Sequence, residues 1–107
     1  CGPACGPAPR MPMRLEQSRR AQADLEDIRD FSAERFGVAR AIRYLDAVED
    51  AFRRLLDHPE IGMRRPDLGE AVRSYPAGEH RIYYRALPDR VVVLRVLHKA
   101  MDVERWL

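Results

Sequence analysis

Between Arg19 and Asp57 the sequence holds two amphipathic runs with almost nothing between them. In the first, Ala21, Leu25, Ile28, Phe31 and Phe36 recur at roughly helical spacing. Ser18 stands where an N-cap belongs, and Gly37 where a C-cap favours a left-handed residue. In the second, from about Val38 to Asp57, Ala41, Leu45, Val48, Phe52 and Leu55 follow at intervals of four, three, four and three until Pro59 stops the helix. With only Gly37 and a neighbour to join them, the helices must fold back as an antiparallel hairpin. Their apolar stripes then need a surface to cover them.

The second half of the chain supplies that surface as strands. Residues 58–69, "HPEIGMRRPDLG", read as a loop, and Ala71–Tyr75 as a short strand before a turn at Pro76–Gly78. His80–Leu87 alternates as a second strand. "PDR" at 88–90 reverses the chain into the strongest strand, Val91–His98. Met13–Gln17 alternates briefly as an N-terminal strand ahead of the helices. The expected fold is α+β: an N-terminal strand, then an antiparallel two-helix hairpin packed on one face of a small antiparallel sheet.

Strand alternation assigns faces. Val92, Leu94, Val96 and His98 share one face of the last strand and are expected under the helices, with Ile82, Tyr84 and Ala86 beside them. Val91, Val93, Arg95 and Leu97 then face out next to Arg81, Tyr83 and Arg85. That outer face is basic and carries an aromatic ring, a chemistry that suits a nucleic acid or an acidic peptide. It also fits the wet side of any half-buried sheet.

Charge points the same way. Residues 13–60 balance at −2, whereas residues 61–100 balance at +4. Lys99 is the only lysine, so arginine, with its bidentate fork for carboxylates and phosphates, supplies nearly all the positive charge. A chain of 107 residues has room for one core, and no apolar run is long enough to cross a bilayer.

Both cysteines, Cys1 and Cys5, lie in the repeat "CGPACGPAPRMP". Residues 1–12 are therefore expected to be a disordered upstream extension or cloning remnant ahead of a start at Met11 or Met13, and residues 13–107 the single folded domain. Two thiols are too few for a tetrahedral zinc site, so no metal or cofactor is expected. The absence of any other cysteine and of a signal-like stretch leads to an expected cytoplasmic location.

His98 ends the strongest strand, where two readings compete. As a general acid or base it would work with Arg81 and Arg95 in an RNA-cleaving site, the arginines stabilising a developing phosphorane. Alternation sets it on the opposite face from those arginines unless a bulge rotates it, which favours a hydrogen-bonded structural histidine closing the strand.

Four segments, "ADLEDIRDFSAERFG", "HPEIG", "HRIYYR" and above all "VLRVLHKAMD", resemble the ParE toxins of bacterial type II toxin–antitoxin modules, within the wider RelE and ParE superfamily. The resemblance covers Met13 to Leu107. It implies the same α+β fold with a short C-terminal helical turn, inhibition of DNA gyrase by binding rather than catalysis, neutralisation by a ParD-like antitoxin in a hetero-oligomer, and growth arrest as the outcome. RelE-type relatives instead cleave messenger RNA on the ribosome and commonly carry a tyrosine, or a His–Tyr pair, near the C-terminus. Here Lys99, Ala100 and Met101 follow His98, so no tyrosine completes that site.

On this resemblance an acidic antitoxin tail is expected to wrap the hairpin and the basic surface, at Arg64, Arg65, Arg73, Arg81, Tyr83 and Arg85. The gyrase contact is expected at Arg95, His98, Lys99, Met101 and Trp106.

Overall fold

The computed structural model describes residues 14–101 and 103–106 of the chain. Everything before Arg14, including the expected extension over 1–12, and the side chains of Glu104 and Trp106 lie outside the described residues. Strand β1 (Arg14–Gln17) leads through Ser18 into α1 (Arg19–Phe36), and Gly37 separates α1 from α2 (Val38–Asp57). Strands β2 (Met63–Arg64), β3 (Val72–Ala77), β4 (His80–Ala86) and β5 (Arg90–His98) follow, and α3 (Val103–Trp106) comes last. Among the described residues no helix is long and apolar enough to cross a membrane.

Both helices begin and end where their stripes and caps predict. The Ser18 hydroxyl oxygen accepts the Ala21 N–H at 3.0 Å, satisfying one of the orphan donors of the first turn. Gly37 adopts φ +90°, a backbone conformation that side-chain-bearing residues rarely take, and its N–H closes the last turn of α1 on the Ala33 carbonyl. The α2 stripe is covered along its length: Ala41, Val48, Ala51, Phe52 and Leu55 are buried and Leu45 packs against the core.

The α1 stripe is covered only over its first half. Ala21 and Ile28 are buried, but Phe31 and Phe36 stand 57% and 54% exposed. The cause is relative length. The N–H of Ser18 donates to the Val93 carbonyl, and the Asp24 carboxylate accepts the Val96 N–H. Six helical residues, about 9 Å of rise, thus run beside three strand residues, about 10 Å. Strand β5 ends at His98, so the sheet runs out near Ile28 and the last two turns of α1 project past it.

The sheet has the order β1-β5-β4-β3-β2. From β2 to β5 it is an antiparallel meander, but β1 pairs with β5 in parallel, from Arg14 opposite Arg90 to Gln17 opposite Val93. The sheet is therefore mixed rather than wholly antiparallel. The connection between β1 and β5 contains the whole hairpin and the other strands, and so is long enough to return the chain in the parallel sense. Strand β2, expected as loop, is a two-residue edge pairing too short to leave an alternating pattern.

A bulge corrects the face assignment of β5. Tyr84 lies opposite Val93 and Tyr83 opposite Arg95, leaving Leu94 with no counterpart. On the N-terminal side of the bulge the parity is reversed: Val91 and Val93 are fully buried in the helix-side core, and Val92 and Leu94 are not. Beyond it Val96 packs into that core as expected, with Ile82 and Tyr84 from β4.

The outer face is not uniformly wet either. Tyr83, Leu97 and Val103 form a second apolar cluster there, joined by Leu68 and Met101.

Fully buried Tyr84 also anchors the loop after α2. Its hydroxyl accepts the Gly62 N–H at 3.0 Å and donates to the Pro59 carbonyl at 2.8 Å. A Cβ at Gly62 would lie 2.5 Å from that hydroxyl and 2.8 Å from the Ser74 carbonyl, so glycine is required for this approach. Tyr84→Phe leaves both backbone groups without a partner at unchanged side-chain volume and is expected to cost about 2 kcal/mol. Urea denaturation of the variant against the parent checks this, an unchanged midpoint contradicting the anchoring role.

Candidate functional site

The basic residues singled out in the sequence separate into engaged and free groups. Arg65 pairs with Asp67 through Nε at 3.1 Å and Nη2 at 2.9 Å, and this partner holds the Asp67 carboxyl below its ordinary value. Nη1 of Arg73 donates to the Glu60 carbonyl at 3.1 Å and to the Gly62 carbonyl at 2.9 Å, closing the loop that Tyr84 holds from beneath. Arg64, Arg81 and Arg85 are exposed. Arg81 and Arg85 flank Tyr83 on the outer face of β4, about 13 Å apart along the strand.

Tyr83 itself is 4% exposed beneath Leu97 and Val103, so it offers no stacking surface; the expected aromatic contact is replaced by a core residue.

Arg95 does not face solvent beside those arginines. Its Nε and Nη2 each lie 2.8 Å from a carboxylate oxygen of Asp24 on α1, and the two side chains are only 13% and 11% exposed. The same carboxylate accepts the Val96 N–H at 3.0 Å. Where β1 stops, α1 thus takes over the edge of β5: Ser18 donates its hydroxyl to the Leu94 carbonyl at 2.7 Å, and Asp24 serves Val96 two residues on.

His98 ends β5 on the helix side, opposite His80, with the ring centroids 5.5 Å apart and edge to face. Nδ1 of His80 lies 2.6 Å from the Tyr44 hydroxyl of α2, and that hydroxyl also accepts the Glu79 N–H at 2.9 Å. Burial, and then the neighbouring His98, hold His80 below the ordinary histidine value, while burial pushes the Tyr44 hydroxyl up. Nζ of Lys99 pairs with Glu79 at 2.8 Å, and Met101 packs on the outer-face cluster. The Trp106 side chain, expected as a target contact, lies outside the described residues.

Asp24, Tyr44 and His80 carry no signal in the sequence, because each matters through a partner brought in by packing rather than by spacing.

Of the three groups an RNA-cleaving site would need, Arg95 and His98 line one cavity beside α1 and Arg81 does not. Arg81 lies opposite Leu97 on the outer face, His98 faces the helices, and Arg95 is neutralised by Asp24. Among the described residues no group of three or more histidine, cysteine or acidic side chains is placed to hold a metal ion.

What the sequence and the fold resemble is plain from relatives. The family model for the ParE toxin of the type II toxin–antitoxin system, parDE, matches residues 15–103. The chain belongs to the ParE toxin family. The ParE1 toxin of Caulobacter vibrioides is 36% identical over 96 residues, covering 90% of this chain and 97% of that protein. The ParE1 toxin of Mycobacterium tuberculosis is 38% identical over 96 residues, covering 89% and 98%.

Among solved structures, the chromosomal ParDE system of P. aeruginosa shares the fold at a TM-score of 0.70 and 22% identity, over 82% of this chain and 97% of that one. A RelBE toxin–antitoxin complex from Mycobacterium tuberculosis matches at a TM-score of 0.55 and 29% identity, over 82% of this chain and 99% of that one.

The clasp between α1 and β5 has a measurable weight in this ParE toxin. Asp24→Ala takes the carboxylate away from a mostly buried guanidinium and from the Val96 N–H, and is expected to cost about 3 kcal/mol. Asp24→Ala with Arg95→Met removes the buried charge as well and is expected to recover more than half of that loss in the same chemical denaturation series. Equal losses for the single and double variants would show that the ion pair is not what holds α1 to the strand.

Proposed function

We propose that this chain is the toxin of a toxin–antitoxin module that inhibits DNA gyrase by binding to it in the cytoplasm, and that a ParD-like antitoxin neutralises it. Membership of the ParE family supports the class of protein. The observation that favours binding over catalysis is the pairing of Arg95 with Asp24, together with the place of Arg81 on the outer face, apart from the cavity that Arg95 and His98 line. A ribosome-dependent messenger RNA nuclease is the alternative reading, and it needs convergent basic and acid–base groups.

The antitoxin contact is assigned to exposed cations that pair with no carboxylate among the described residues: Arg64 at the sheet edge, and Arg81 and Arg85 on the outer face. Arg65 and Arg73 serve the loop instead. Exposed Phe31, Phe36, Val38 and Ile42 around Gly37 add an apolar patch at the hairpin tip, with Arg35 and Arg40 lying over the two phenylalanine rings. Aromatic and arginine side chains together are the composition of protein-binding surfaces. Lys99, Met101 and His98 at the end of β5 are assigned to the gyrase contact.

Two assays on purified protein decide the target. Loss of gyrase supercoiling with accumulation of cleaved DNA is the expected result; codon-dependent cuts in translated message with gyrase unaffected would replace this reading with the nuclease one. For the antitoxin, Arg81→Glu with Arg85→Glu is expected to weaken binding roughly tenfold and to flatten its salt dependence. A titration showing the parent affinity and salt slope would move the contact off the outer face.

A further inference from the structure

Strand β5 runs on to His98, past the point where α1 last serves its edge. Lys99 donates its N–H to the Glu79 carbonyl, so the hydrogen-bonded pairs with β4 fall at Leu97 with Arg81 and at Arg95 with Tyr83. The backbone groups of Val96 and His98 therefore point to the opposite edge. Two of these four are taken: the Asp24 carboxylate accepts the Val96 N–H, and the His98 carbonyl accepts the Met101 N–H. The Val96 carbonyl and the His98 N–H have no partner among the described residues.

The two open groups are those a parallel strand uses, one residue opposite Leu97 donating to the first and accepting from the second. An antiparallel neighbour would need the N–H and the carbonyl of one residue, and Val96 and His98 have each given up one. Parallel is also the sense in which β1 lies on this edge.

A groove flanks the open stretch. Asp27 and Phe31 follow Asp24 at intervals of three and four, so the side of α1 that brings Asp24 to the edge carries them along it. With Ile28, His98 and Met101 they line a cavity of about 470 Å³, a size ordinary for a binding site. Asp27 is exposed and pairs with no cation among the described residues, whereas the nearby Arg95 and Lys99 are engaged by Asp24 and Glu79. The charge the groove offers is negative.

We propose that the end of β5 takes up a short extended segment of the toxin's target, parallel to β5 and in line with β1. The segment is apolar and carries a lysine or arginine for Asp27. This rests on the assignment of His98, Lys99 and Met101 to the target contact. The residue opposite Leu97 would lie on the outer face beside Met101, and its two neighbours on the helix side against Ile28 and Phe31, so three successive positions call for apolar side chains. Main-chain bonds supply affinity in such strand addition, and the flanking pockets supply specificity. An acidic antitoxin tail does not suit the groove, because it would bring carboxylates against Asp27. Phe31 also belongs to the hairpin-tip patch, so an antitoxin seated there would close the groove.

The test compares two variants of one residue. His98→Pro removes the N–H the segment needs, and proline is tolerated at a strand edge whose N–H lies outside the ladder. His98→Ala keeps that N–H and, like proline, deletes the ring contacts with His80 and Ala100. Growth arrest on induction of the full chain and supercoiling by purified DNA gyrase are measured for each, with urea midpoints establishing that both are folded. His98→Pro is expected to be roughly tenfold less potent than His98→Ala, and Asp27→Lys, a surface change, to lose potency to a similar degree. Equal potency of the proline and alanine variants in growth arrest would overturn strand addition, and a gain in Asp27→Lys would overturn the basic character of the segment. Growth arrest by the parent with gyrase unaffected would overturn the gyrase reading alone, since the two variants are compared on growth whatever the target.

Discussion

The exposed edge of β5 is the constraint around which this fold is arranged. A central strand buried on its helix side cannot leave backbone donors and acceptors without partners, and β1 is only long enough to serve it as far as Val93. From there α1 carries the edge on, through the Ser18 hydroxyl on the Leu94 carbonyl and the Asp24 carboxylate on the Val96 N–H. The bulge at Leu94 falls where the strand changes partner, from β1 to α1. The extra residue resets the alternation so that Val91, Val93 and Val96 all reach the same core.

That arrangement also determines which charges are available to a partner. Arg95 is spent on α1, Arg73 on the loop that Tyr84 anchors, and Arg65 on Asp67, while Arg64, Arg81 and Arg85 stay exposed on the sheet. The helices contribute in the opposite sense. Because α1 outruns the sheet, its terminal phenylalanines remain uncovered beside the start of α2. Arginines spread over the sheet and an apolar hairpin tip are a composition that suits recognition by contact.

Much of the fold could be read from the sequence because its signals are local. Ser18, Gly37 and Pro59 mark helix ends by their own backbone and capping chemistry, and the α2 stripe at Ala41, Val48, Phe52 and Leu55 is buried as its spacing says. Ile82 and Tyr84 face the helices for the same reason. The site was less legible. Tyr83 alternates with Arg81 and Arg85 as a wet residue would, and nothing near it in the chain announces that Val103 and Leu97 close over it.

By itself, then, the amino-acid sequence determined the helical hairpin, the strand meander and the family, all of which rest on spacing within a few residues or on contiguous motifs. Only the tertiary structure decided the parallel seat of β1, the bulge at Leu94, the pairing of Arg95 with Asp24 and the meeting of His80 with His98. Asp24 and Arg95 are 71 positions apart, and their contact depends on how a helix lies along a strand. Alternation and periodicity describe one element at a time, whereas an edge left open by one strand is closed by whichever element packing brings beside it.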